Sequence, residues 1–128
     1  MKKYISVSTI LLLFTMNAGG VLAATDWHTG TIDRILTDQR SAGSTTYPEA
    51  LRYGGCAARV TPRPSSTLSG CGAYITMSCD GVFTSKSTAK NNFDAAQLGY
   101  VSGATVSFWI DNSQINSGSC FASSVIVQ

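Results

Sequence analysis

A chain of 128 residues is long enough for one small domain. Its nine basic and seven acidic residues give a formal charge of +2, and Lys2 and Lys3 at the extreme N-terminus account for that excess. Without those two lysines seven bases face seven acids, which removes the net-charge argument for nucleic-acid binding, a function that needs a clustered cationic surface.

Lys2 and Lys3 precede an apolar run from Ile5 to Met16 and a small-residue end, Val21-Leu22-Ala23-Ala24. A charged start, an apolar run too short to span a bilayer and alanine at the cut site describe a secretory signal peptide. The predicted organisation is therefore a signal over residues 1–24 and one domain over 25–128, exported to the periplasm or beyond and not inserted in a membrane. An uncleaved core helix is the competing reading, but the run has no polar helical face.

His28 to Thr37 carries β-branched residues at regular intervals and predicts a first strand, with Ile32 inward and Trp27 just before it. Asp38 to Gly55, rich in Ser, Gly and Thr, predicts a long loop in which Pro48 to Arg52 makes a helical turn. Cys56 to Thr61 predicts a second strand, ended by Pro62 and Pro64. Ala73 to Cys79 predicts a third, with Ile75, Met77 and Cys79 on one face and Tyr74, Thr76 and Ser78 on the other. Ser85 is a helix N-cap, Ala89, Phe93, Ala96 and Tyr100 fall on one helical stripe, and Gly103 stops the helix. That stripe reads as core rather than as a ligand box. Thr105 to Asp111 is the clearest strand, with Val106, Phe108 and Ile110 inward and Ser107 and Trp109 outward. A polar turn over Asp111 to Gly118 leads to a last strand, Cys120 to Val127.

Three strands, a helix and two strands match the order of the five-stranded OB-fold barrel, a mainly β fold with its helix between strands three and four. A two-layer α+β sheet is the alternative. Export makes Cys56, Cys71, Cys79 and Cys120 disulfide partners. A second-third hairpin sets Cys56 opposite Cys79, and parallel third and fifth strands bring Cys71 to Cys120. A zinc site is disfavoured because the single histidine, His28, lies far upstream and no Cys-x-x-Cys pair occurs.

Catalytic signals are sparse, and no cofactor or metal is expected. His28 is the one available imidazole, no serine sits in a Gly-x-Ser-x-Gly context, and the acids stand beside turns and strand ends. His28 accordingly reads as a surface or edge-strand residue, and a small hydrolase is a minor alternative. Density in Ser, Thr, Asn and Gln suits a neutral, hydroxyl-rich ligand, with Trp109, Tyr53, Tyr47 and Trp27 as ring platforms. Packing within a small domain is the bland explanation of each aromatic.

The segments His28-Thr29-Gly30-Thr31-Ile32-Asp33 and Gln39-Arg40-Ser41-Ala42-Gly43-Ser44 resemble the HTGxID and QSAGSS-like segments of the receptor-binding B subunits of subtilase cytotoxin and typhoid-toxin type toxins. The likeness covers about the first twenty mature residues. This chain lacks the extra N-terminal stretch and the longer C-terminal extension of those subunits. The resemblance implies an OB barrel, a homopentameric ring, binding to sialylated cell-surface glycans and an enzymatic A subunit as partner. It carries Ser41 and Ser44 over as sugar contacts, beside Tyr53 and Trp109 from the residue reading. A secreted inhibitor or other protein-interaction module without glycan binding is the alternative, with the Asp38 to Gly55 loop as its wedge.

Overall fold

A computed structural model describes residues 23–37 and 53–128. They form β1 (Thr25–Thr37), β2 (Cys56–Thr61), β3 (Tyr74–Thr76), α1 (Lys86–Ser102), β4 (Thr105–Asn116) and β5 (Ser119–Val127). The described residues are mainly β with one α-helix. Its five strands close on themselves in the order β1-β2-β3-β5-β4, with β4 returning to β1. All neighbours are antiparallel except β3 and β5, which run parallel through Ile75↔Cys120 and Thr76↔Phe121.

The long strand β1 closes this ring by serving two partners. Its first half, Thr25 to Thr31, pairs with β4, and its second half, Thr31 to Thr37, pairs with β2. A bulge between Ile32 and Arg34 makes Asp33 the extra residue, the kind of insertion that bends a strand and re-aims a side chain. Gly30 lies at the closest approach of β1 to β2, where a Cβ would stand 2.6 Å from the Thr61 carbonyl oxygen. Only glycine fits there without moving backbone.

Alternation fills the interior. Ile32, Val60, Ile75, Val106, Phe108 and Ile110 are buried in one cluster with Phe93 and Ala96 of α1. Leu68 joins them from a 3-10 turn at Ser66–Leu68, an element with no periodic signature in the sequence. The Ser85 hydroxyl accepts from the Thr88 N–H, and Gly103, at φ 68°, closes the far end of the helix. The buried stripe of α1 is Ala89, Phe93, Ala96 and Gly99; Tyr100, expected on it, is 46% exposed. The helix sits so close to β4 that a Cβ at residue 99 would overlap the Val106 side chain, so glycine takes the place of a larger stripe residue.

Other expectations change in extent. Strand β1 begins three residues before His28 and includes Trp27. The third strand shrinks to Tyr74–Thr76, because the Thr76 hydroxyl donates to the Cys56 carbonyl and accepts from the Ser78 N–H, capturing backbone groups that a ladder would use. Thr76 and Ser78 are buried rather than outward, and Ser78 sits at φ 59°. Strand β4 continues through the expected polar turn to Asn116. Its irregular stretch is stitched by Asp111, whose carboxylate accepts from the Ser113 N–H and hydroxyl and from Gln114 Nε2. Only Ser117 and Gly118, both at positive φ as in a type I′ turn, reverse the chain.

Disulfides join Cys56 to Cys79 and Cys71 to Cys120, the two pairs the strand order leads to, with Cα separations of 5.5 and 5.2 Å. These cross-links mark a protein of an oxidising compartment. Among the described residues, no helix is long and apolar enough to cross a membrane.

Candidate functional site

Two surface regions gather chemistry-bearing side chains. The first lies where β1 meets β4. Cross-strand register sets Trp27 opposite Trp109, and their rings meet at 5.3 Å with a 59° tilt, a favoured aromatic geometry. Trp27 is 44% exposed, while Trp109 is half-buried beneath the pair. Two residues along, Thr29 faces Ser107, and their hydroxyls bond at 2.7 Å. Gln128 Nε2 donates to the same Ser107 oxygen at 2.9 Å. Ser107 points outward by alternation yet is buried, covered by these neighbours. On β5, Ser124 stands opposite Trp109 and Ile126 opposite Ser107. The result is an aromatic platform bordered by uncharged hydroxyl and amide groups, able to stack on a ring face and exchange hydrogen bonds at its edge.

The second region lies at the other half of β1, beside β2 and β3. The β1 bulge delivers Asp33, whose Oδ1 accepts from Arg59 Nε at 2.5 Å and whose Oδ2 accepts from the Thr61 hydroxyl at 3.0 Å. The Arg59 hydrogen bond holds the Asp33 carboxyl below its ordinary value, against a smaller opposing effect of desolvation, with Thr61 and Arg34 adding to the lowering. A carboxyl depressed in the native state stabilises the fold above its ordinary titration range, and that contribution disappears as pH falls through the native value. At side-chain exposures of 36% and 41% the pair is screened by water, so it orients Arg59 more than it stabilises the fold. Tyr53 stacks on Tyr74 at 5.0 Å, and Arg34 Nη1 donates to the Tyr74 hydroxyl at 3.4 Å. A shallow cleft of about 200 Å³ opens here, lined by Asp33, Arg59, Val60, Thr61, Arg63 and Ala73.

The structure separates two residues that the sequence reading grouped. Trp109 belongs to the platform on β1 and β4, whereas Tyr53 is half-buried against Tyr74 of β3. Ser41 and Ser44, Tyr47 and the helical turn at Pro48 to Arg52 lie outside the described residues. His28, expected at the surface, is buried at 8% exposure, and its Nε2–H donates to the Pro62 carbonyl at 2.8 Å. That carbonyl can only accept, so Nε2 carries the proton and is committed to holding the segment after β2. No serine hydroxyl is bonded to the His28 ring among the described residues.

Trp27 and Tyr74 are the residues whose role sequence reasoning underrated. Trp27, already named as a ring platform, gains Trp109 as its partner through the pairing of β1 with β4, and Tyr74 emerges from its stack on Tyr53. The chain matches no protein-family model, no curated protein and no solved structure.

Proposed function

We propose that this protein is a secreted glycan-binding module of OB-fold type, and that the Trp27–Trp109 platform is its sugar-contact surface. The single observation that carries the reading is that platform: two tryptophans in ring contact, one of them exposed, flanked by Thr29, Ser107, Ser124 and Gln128, with Asp111 two residues along β4 at its end. Sugars present apolar ring faces and hydroxyl edges, and this surface offers a partner to each. The strand order β1-β2-β3-β5-β4, with α1 between β3 and β4 in the chain, supports the OB assignment. The likeness to toxin B subunits supports a homopentameric ring on cell-surface glycans with an enzymatic A subunit.

Removal of the N-terminal segment as a signal peptide is part of this reading. The Ala24 N–H donates to Asn112 Oδ1 at 2.6 Å, and Asn112 N–H returns a bond to the Ala24 carbonyl at 3.0 Å. Cleavage after Ala23, one residue before the boundary expected from the sequence, leaves Ala24 as a first residue already seated on β4, and N-terminal sequencing of the exported protein is expected to begin at Ala24. A chain beginning at Met1 in the exported fraction overturns the reading of the N-terminal segment as a cleaved signal.

A glycan array probed with the exported protein is expected to give saturable binding. Trp109→Ala and Trp27→Ala should each weaken it by about tenfold or more, as loss of a stacking ring worth roughly 1.5 kcal/mol predicts. Native mass measurement should return about five protomer masses. No saturable glycan binding, or binding indifferent to both tryptophans, sinks the assignment. Ile126, 47% exposed beside the platform, favours a second reading in which the same face meets a protein, as in a secreted inhibitor. Glycan-independent capture of one partner, abolished by Trp27→Ala and Ile126→Ser, distinguishes it.

A further inference from the structure

The cationic side chains of the described residues are unevenly placed. Lys86 and Lys90 lie on α1, and Lys90 is paired with Asp94 four residues on. All three described arginines instead lie on the β1–β2 side of the fold: Arg59 and Arg63 line the cleft beside β2, and Arg34, opposite Arg59 in register, stands outside its lining. The two lining arginines come from different positions: Arg59 from β2, and Arg63 from just beyond the end of β2. Asp33 is the one acid in the cleft lining, so two guanidiniums face one carboxylate and a formal charge of +1 is left over, with Arg34 adding positive charge nearby. That concentration stands out in a domain whose acids and bases otherwise balance.

The carboxylate is already spent. Both Asp33 oxygens are engaged, by Arg59 Nε and by the Thr61 hydroxyl, so Asp33 holds Arg59 by one edge of its guanidinium. Arg63 has no side-chain hydrogen bond or ion pair among the described residues. An already oriented guanidinium next to an unpaired one, in a concave site, is the donor arrangement that binds oxyanions. Approach from two separate backbone positions, one on β2 and one beyond it, suits an acceptor whose oxygens are not coplanar, as in a phosphate or sulfate group and unlike a carboxylate. A cleft of about 200 Å³ has room for one such group, and the Tyr53–Tyr74 stack beside Arg34 gives the rest of a ligand a flat surface to lie on.

We propose that the Arg59–Arg63 cleft is an anion site for a phosphate or sulfate ester group, separate from the Trp27–Trp109 platform. Asp33 is its positioning residue, Arg59 and Arg63 are its contacts, and Arg34 adds long-range attraction. The site does not depend on the glycan reading of the platform, since no residue is shared between them.

The test is a titration of isotopically labelled protein with sodium phosphate, sodium sulfate and sodium acetate at constant ionic strength, following the arginine Nε–H and the Thr61 and Ala73 amide resonances. Phosphate or sulfate is expected to give saturable shifts confined to these groups, with a dissociation constant at least fivefold below that of acetate. The tighter of the two identifies a phosphate or a sulfate ester as the natural group. Arg63→Gln should weaken binding at least fivefold, and because Arg63 is exposed and unpaired its spectrum should otherwise match the parent. Lys90→Gln, on the helix, should leave binding unchanged. Non-saturating shifts, acetate binding as tightly as either tetrahedral anion, or full affinity in Arg63→Gln overturns the proposal.

Discussion

Replacing Cys71 and Cys120 together by alanine is expected to destabilise the domain by about 4 kcal/mol. The bond closes a chain segment of 49 residues, against 23 for Cys56–Cys79, and loop-closure entropy alone sets the shorter cross-link near 3 kcal/mol. Position adds to length. The seam between β3 and β5 is the weakest in the closed sheet, held by only the register pairs Ile75↔Cys120 and Thr76↔Phe121. Cys120 is itself in that seam, so the disulfide clamps the ring at the point where its ladder is shortest. A small domain has a total stability on the order of 5 to 15 kcal/mol, which makes this one bond a large share. Thermal unfolding followed by circular dichroism should show a fall in Tm of roughly 15 °C or more for the double variant. It should exceed the fall for Cys56→Ala with Cys79→Ala. A loss under about 1 kcal/mol, or the reverse ranking, removes the seam argument.

The parts of this fold legible in the sequence are those governed by local pattern. Val106, Phe108 and Ile110 alternate cleanly and are all buried, and Ser85 and Gly103 bound the helix because capping chemistry is local. The failures trace to tertiary contact. Tyr100 has the right spacing for the helix stripe, but the nearness of Val106 leaves room only for Gly99 on that side, and the stripe rotates away from Tyr100. Thr76 and Ser78 alternate like outward residues, yet the Cys56 carbonyl draws the Thr76 hydroxyl inward. The candidate sites suffered more. Trp109 carries an outward signal of its own, but its partner Trp27 is 82 residues away in the chain and joins it only through the β1–β4 register. The arginine cleft had no sequence signature, since Asp33 reaches Arg59 through a bulge that no pattern announces.

Adjacent residues of β4 give the second large effect and separate fold from recognition. Phe108 is fully buried, lies between His28 of β1 and Val125 of β5 in register, and belongs to the core cluster that also holds Phe93 of α1. Truncating it removes a ring from the interior and leaves a cavity among neighbours fixed by strand pairing on both sides, so Phe108→Ala should cost roughly 3 to 5 kcal/mol. Trp109 points the opposite way and contacts Trp27 at the surface, where the aromatic pair is worth only about 0.5 to 1.5 kcal/mol. Urea unfolding of the two variants should therefore differ by about 1.5 kcal/mol or more, with the larger loss at residue 108. Glycan binding should rank them inversely: under conditions where Phe108→Ala remains folded it retains the platform and its affinity, while Trp109→Ala keeps its stability and loses the ligand. Equal destabilisation by both substitutions places Trp109 in the core rather than on a working surface, and the platform then reduces to packing.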